Sequence, residues 1–177
     1  MADRLQPRAD RIEIQNVYLS HHLVRRALDR AKVHVNGYLQ QPKTPAALES
    51  NEGFKRVLKA LEKANDVFMD RYRESVMTLV ETLDISDSQL HTEFLRAAGQ
   101  IVDEIRWGRI ASLFFLTSLL AERLAREGQS AKIESLVTWL AHFLNDHVSP
   151  WIEQRGGWVS QVTQYRCVNN IRRESDE

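Results

Sequence analysis

The 177-residue chain has a single cysteine, Cys167, so no internal disulfide can form and an oxidising compartment is not implied. Glycine and proline are scarce, 7 and 4, too few for a fold of many tight turns. That scarcity favours long helices over β architecture. Neither sign of charge prevails. With 24 Lys+Arg against 24 Asp+Glu the formal net charge is zero, which leaves no electrostatic case for nucleic acid or an anionic membrane surface. Long apolar runs are missing too. The longest, Ile110 to Ala121, is about 12 residues, short of the roughly 20 that span a bilayer and suited to a buried core helix. Met1 to Asp10 is polar, without the apolar core of a secretory signal. Asn169 to Glu177 is polar and charged, with no membrane tail or lipidation motif.

Catalytic patterns are absent as well. There is no glycine-rich phosphate loop, no nucleophile elbow and no paired-carboxylate site, so an enzyme is not expected. His21 and His22 are adjacent and point apart on a helix, and His142 and His147 are five apart, a poor spacing for one helical face. Cys167 has no visible activating partner beyond the adjoining Arg166 and reads as an inert thiol. No metal and no cofactor are expected.

What is present is helical periodicity. The length suits one domain, taken as 1–177 with a core built without disulfides or metal. Arg11 to Val35 reads as a helix stopped by Asn36-Gly37, with disordered ends expected over 1–9 and 170–177. Pro42, Pro45 and polar neighbours make 36–51 a flexible loop, and Ser50 or Asn51 caps the next helix. Apolar residues from Phe54 to Phe68 and again from Tyr72 to Leu83 predict two helical segments, ended by Asp84-Ile85-Ser86-Asp87, which supplies the next cap. Gln89 to Ile105 is amphipathic, including Leu95. Trp107 to Arg126 is apolar nearly all round and belongs at the centre of a bundle, with Gly128 as its stop. Ser130 to Asp146, a short helix Trp151 to Gln154 begun by Pro150, the turn Gly156-Gly157 and a last helix Trp158 to Val168 follow. The expected fold is all-α, about eight helices, with a central hydrophobic helix wrapped by amphipathic ones.

Three segments go beyond a generic bundle. Arg106-Trp107-Gly108-Arg109-Ile110 opens the apolar helix. Trp151-Ile152-Glu153-Gln154-Arg155-Gly156-Gly157-Trp158 joins a tryptophan-led short helix to a Gly-Gly-Trp turn. Leu61-Glu62-Lys63-Ala64-Asn65-Asp66 lies between Val57 and Phe68. Together they resemble the first, second and third homology motifs of the B-cell-lymphoma-two (Bcl) family of apoptosis regulators. They stand in that family's order (third, first, second), and the resemblance covers about Phe54 to Tyr165. The close of the third helix, Leu83-Asp84-Ile85, is similar to the myeloid-leukaemia branch.

The resemblance implies a pro-survival protein that holds the amphipathic third-motif helix of pro-apoptotic partners, agonists and pore-forming effectors alike, in an apolar surface groove. Such recognition needs apolar pockets for anchors at i, i+3/i+4 and i+7, plus a charge that sets register. The implied groove residues are Phe68, Tyr72, Val76 and Leu79, with Ile101, Asp103, Arg106, Gly108, Arg109 and Ser112. Arg109 would take a partner carboxylate in a bidentate pair, Gly108 would admit the partner backbone, and Asp103 would meet a basic residue. In the third-motif helix, Val57, Leu61, Ala64 and Asp66 read first as structural positions. Trp107, Trp151 and Trp158 read as packing residues. Two departures matter. Asn65 stands where the family has glycine, which hinders docking of this segment into another groove. Arg106 stands where it has asparagine, which alters hydrogen bonds to a ligand backbone. The alternative implied by the same fold is a pore-forming effector of the mitochondrial outer membrane. The implied location is cytoplasm and that membrane, through an anchor not present in these residues.

Overall fold

The computed structural model describes residues 11–160 except 36, 38, 41 and 44. Among them are seven α-helices and no strand: α1 (Ile12–Arg30), α2 (Ala46–Glu49), α3 (Glu52–Thr82), α4 (Leu90–Ile101), α5 (Trp107–Arg126), α6 (Ile133–Phe143) and α7 (Ser149–Glu153). A 3-10 turn, Ser130–Lys132, leads into α6, and a π-helical turn, Leu144–Val148, joins α6 to α7. Residues 158–160 are helical. The expected continuation to Val168, Cys167 and both expected disordered ends fall largely or wholly outside the described residues.

The bundle is organised by α5. Its bounds are those expected from its apolar pattern, and α1, α3, α4 and α6 all pack on it. Leu113, Phe114, Leu119, Leu120 and Leu124 are fully enclosed, each burial stabilising the fold by roughly 1.5–3 kcal/mol. The hydroxyls inside this apolar column do not stay unpaired. Thr117 Oγ1 donates to Leu113 O at 2.8 Å and Ser118 Oγ to Phe114 O at 2.9 Å, each bonding one turn back. Gly128 ends the helix at φ 72°, with Gln129 N–H donating to Leu124 O at 2.7 Å, a left-handed stop that glycine favours.

Several boundaries differ from the sequence expectation. The first helix stops at Arg30, not at Asn36-Gly37. Lys32 takes φ 57°, and Lys32 and Val33 N–H groups turn back to Asp29 O and Leu28 O, closing the carbonyls of the last turn. Within the expected loop 36–51, Ala46–Glu49 forms one helical turn and buries Leu48. The two segments expected between Phe54 and Leu83 are one 31-residue helix, because polar Asp70-Arg71 contains no breaker. Of the two cap candidates Asn51 is used, its Oδ1 accepting Phe54 N–H at 3.0 Å. At the far end Arg123 Nη1 donates to Val80 O and Leu83 O, both at 2.8 Å, reinforcing the end of α3, where Val80 O also accepts Leu83 N–H at 3.2 Å. Asp84 accepts Ser86 N–H at 2.9 Å in an Asx turn, but it does not cap α4, which starts without a side-chain cap. α4 itself ends at Ile101, short of the expected Ile105.

Candidate functional site

α3 and α4 each lie against α5 but make no substantial contact with one another. The sequence expectation puts the partner groove between them. On α5, Gly108, Ser112 and Phe115 share a face at i, i+4 and i+7. Ser112 Oγ is turned back to Gly108 O at 2.8 Å, so the stripe presents little unsatisfied polarity. Among the described residues, nothing beyond its chain neighbours and its own helix backbone lies within 4 Å of where a Cβ on Gly108 would stand, which leaves room for an approaching backbone.

Exposure is graded along the expected groove residues of α3. Phe68 is half-buried, its ring 5.7 Å from that of Phe115 and edge-on to Tyr72 at 6.0 Å. Val76 is half-buried against the core. Tyr72 and Leu79 are 48% and 63% exposed, an unusual setting for an apolar stripe on a helix whose opposite side is in the core. Phe68 and Val76 are thus partly covered, while Tyr72, edge-on to Phe68, and Leu79 are exposed. On α4, Ile101 is half-buried and Leu95 is 40% exposed. The sequence pattern places Leu95 on the packed face, and the structure corrects this. The buried stripe is Leu90, Phe94 and Ala98, to which Leu95 is one residue out of step. Phe115 reads from the sequence as core, and it is buried there with its ring against Phe68.

Charge gathers where α4 passes into α5. Arg109 is exposed, and its Nη1 donates to Ile101 O at 3.3 Å, near the carbonyl end of α4, where a cation is favoured. Among the described residues no carboxylate pairs with Arg109. Asp103 is exposed in the same connection. Arg106 is turned aside onto Glu104, forming an exposed ion pair. The groove residues expected from the sequence thus lie along α3, at the end of α4, in the α4–α5 connection and at the start of α5. The structure joins Phe68 to Tyr72, Arg109 to Ile101 and Ser112 to Gly108 directly.

The third-motif residues face elsewhere. Val57 and Leu61 are in the core and Ala64 packs against it. Asp66 receives both guanidinium nitrogens of Arg26, at 2.6 and 2.9 Å, and also pairs with Arg30, fastening α3 to α1. The hydrogen bond from Arg26 holds the Asp66 carboxyl below its usual range, opposed in part by burial. Asn65 is 3% exposed, and its Oδ1 has no hydrogen-bond partner among the described residues.

The second motif is a packing corner. Pro150 lies in the first turn of α7. The Arg155 guanidinium sits 4.1 Å over the half-buried Trp151 ring, while Trp158 is enclosed against Trp107 and Phe114. Trp107 and Trp158 thus pack as expected.

The family model described as apoptosis regulator proteins of the Bcl-2 family matches residues 61–158. Bcl-2-like protein 1 of Sus scrofa is 36% identical over 121 residues, 67% of this chain and 51% of that protein. Apoptosis regulator Bcl-2 of Gallus gallus is 27% identical over 107 residues, 60% of this chain and 46% of that protein. The chain thus spans about half the length of the curated relatives it matches. Among solved structures, Trichoplax adhaerens trBcl-2L2 bound to trBak BH3 superposes with a TM-score of 0.75 at 19% identity, covering 87% of this chain and 99% of that one. Chicken BOK superposes at 0.69 with 22% identity, covering 88% and 96%. With three motifs in order around a buried central helix and a family model matching more than half its length, this chain belongs to the Bcl-2 family of apoptosis regulator proteins.

Proposed function

We propose that the chain is a pro-survival regulator that holds the third-motif helix of a pro-apoptotic partner in the trough between α3 and α4. The observation that carries this reading is Arg109, an exposed guanidinium without a carboxylate partner among the described residues, together with the exposed apolar residues Tyr72 and Leu79 on α3. A partner helix lying along the trough would seat its apolar residues against Phe68, Tyr72, Val76, Leu79 and Ile101, over the bare backbone of Gly108 and past Ser112. Its aspartate would pair with Arg109. Asp103 would meet a basic residue of the partner, and Arg106, held by Glu104, would border the site. Burial of Val57 and Leu61 supports the role of receptor over ligand, since displaying them would dismantle part of the core. The trBcl-2L2 structure, solved with trBak BH3, supports the class of partner. Action in the cytoplasm and at the mitochondrial outer membrane belongs to the same proposal. Among the described residues no helix is long and apolar enough to cross a membrane.

The test is calorimetric titration of the chain with a synthetic agonist helix, beside Arg109→Ala. Binding by the parent that falls at least about tenfold in the variant, ~1.4 kcal/mol, is the expected result. A folded parent that binds no agonist helix overturns the proposal. Release of dye from vesicles on adding agonist helix would establish the pore-forming reading in its place.

A further inference from the structure

The solvent face of α3 holds a row of cations that the stability of the helix does not explain. Lys55, Arg56, Lys59 and Lys63 are all exposed, on the side opposite Phe54, Val57 and Leu61 in the core. Lys55 and Lys59, and again Lys59 and Lys63, stand at i, i+4, with Arg56 and Lys59 at i, i+3. Like charges at these spacings repel and weaken a helix. Cations in the early turns also oppose the helix dipole, which favours anions there. A face that only meets water alternates its signs. The zero net charge of the whole chain conceals this local excess.

The carboxylates that spacing would offer to these lysines are engaged with α1. Glu62, three residues after Lys59, is bonded to His22 at 2.7 Å. Asp66, three residues after Lys63, pairs with Arg26 and Arg30. Glu52 is taken by Lys55 at 2.8 Å. Among the described residues Lys59 and Lys63 therefore have no ion pair, and Arg56 reaches only Glu52 O of its own helix, at 3.4 Å. The row is bounded. After Val67, which is 37% exposed, the same face turns acidic at Asp70 and Glu74. From Lys55 to Val67 it runs roughly 18 Å along the helix. This crest of a single helix is convex and gives a partner peptide no walls to enter. A plane of lipid headgroups needs none, and long lysine side chains reach into it without a fixed register.

We propose that the N-terminal half of α3 rests on an anionic lipid surface, with Arg56, Lys59 and Lys63 among the headgroups. By helical spacing Phe68 and Tyr72 lie on the other side of α3, so this contact leaves the proposed groove uncovered. The inference gives the membrane location proposed above a contact surface, and it does not depend on the groove having a ligand.

The experiment is flotation of the full chain with phosphatidylcholine vesicles, with and without phosphatidylserine, at low and raised salt. Titration with polyglutamate runs beside it. The parent is compared with the double variant Lys59→Gln, Lys63→Gln and with Lys32→Gln, Lys43→Gln, which removes the same charge away from α3. All four lysines are exposed, so both variants should fold, and thermal melts check this. The expected result is binding only to vesicles that contain phosphatidylserine, falling as salt rises. It should weaken about tenfold or more in Lys59→Gln, Lys63→Gln and stay near the parent's in the other variant. No flotation, equal flotation with phosphatidylcholine alone, or equal weakening in the two variants overturns the proposal. So does binding of polyglutamate through Lys59 and Lys63 without binding of vesicles, which would assign the row to an acidic protein partner.

Discussion

The indole N–H of Trp158 donates to Asn16 Oδ1 at 2.9 Å, joining the Gly-Gly-Trp corner to the first helix across almost the whole described chain. The Asn16 amide then donates from Nδ2 to Asn145 Oδ1 at 2.7 Å and Ser149 Oγ at 2.8 Å. One enclosed asparagine thus ties α1 to the π-helical turn, to α7 and to Trp158, with its polar atoms satisfied.

Removing Asn16 should therefore cost more than one ordinary surface contact. Asn16→Ala is expected to lower unfolding free energy by about 1–3 kcal/mol, because it leaves the buried indole N–H without an acceptor. Trp158→Phe should cost a comparable amount or more. Urea unfolding of both and of the double variant checks this. A double variant whose loss equals the sum of the two would show that the pair is not coupled.

Asn65 predicts the opposite sign. A buried amide oxygen without a partner is a standing penalty, and alanine is the better helix former. Asn65→Ala is expected to be neutral or to stabilise by up to about 1 kcal/mol in the absence of ligand. A clear destabilisation in denaturant melts would mean that the amide makes a stabilising contact after all.

The two apolar faces of α3 should separate stability from binding. Leu61→Ala is expected to cost about 2–5 kcal/mol of stability, as its side chain is enclosed. Leu79→Ala, 63% exposed, should change stability by no more than about 0.5 kcal/mol while weakening the agonist helix. Parallel melts and titrations decide the matter. If Leu79→Ala left binding intact, the trough would not extend to the end of α3.

Asp66 sets a pH dependence. Its carboxyl titrates below its unfolded value, so its contribution is complete above about pH 4 and is lost as pH falls through the lower, folded value. Asp66→Asn should be less stable than the parent at neutral pH, and the gap should close in acid below about pH 4. A gap of constant size from neutral to acid pH would assign the loss to packing and not to the ion pairs with Arg26 and Arg30.

Much of this molecule is legible in its residues alone. The α5 bounds follow from an apolar run opened after Arg106 and closed by Gly128, and Pro150 marks the start of the short helix of the second motif. Other elements depart from their local signals. Asp70-Arg71 suggests a gap in α3, yet neither residue breaks a helix. Asn36-Gly37 looks like the stop of α1, yet the chain turns earlier at Lys32, a residue with no special propensity for φ above zero. Leu95 and Leu90 look alike as leucines on one amphipathic segment, but one residue of phase puts Leu90 inside and Leu95 outside.

The all-helical class, the central helix and the motif residues can be read along the chain, because helical periodicity and motif spacing are local properties. Which apolar faces stay uncovered is a matter of packing between helices. Tyr72 and Leu79 are exposed, and α3 and α4 lean on α5 without substantial contact with each other, a relation between segments tens of residues apart. The same distance governs the charges. Glu122 is buried because Arg73 comes to it from α3, and Arg109 remains open because no carboxylate among the described residues reaches it.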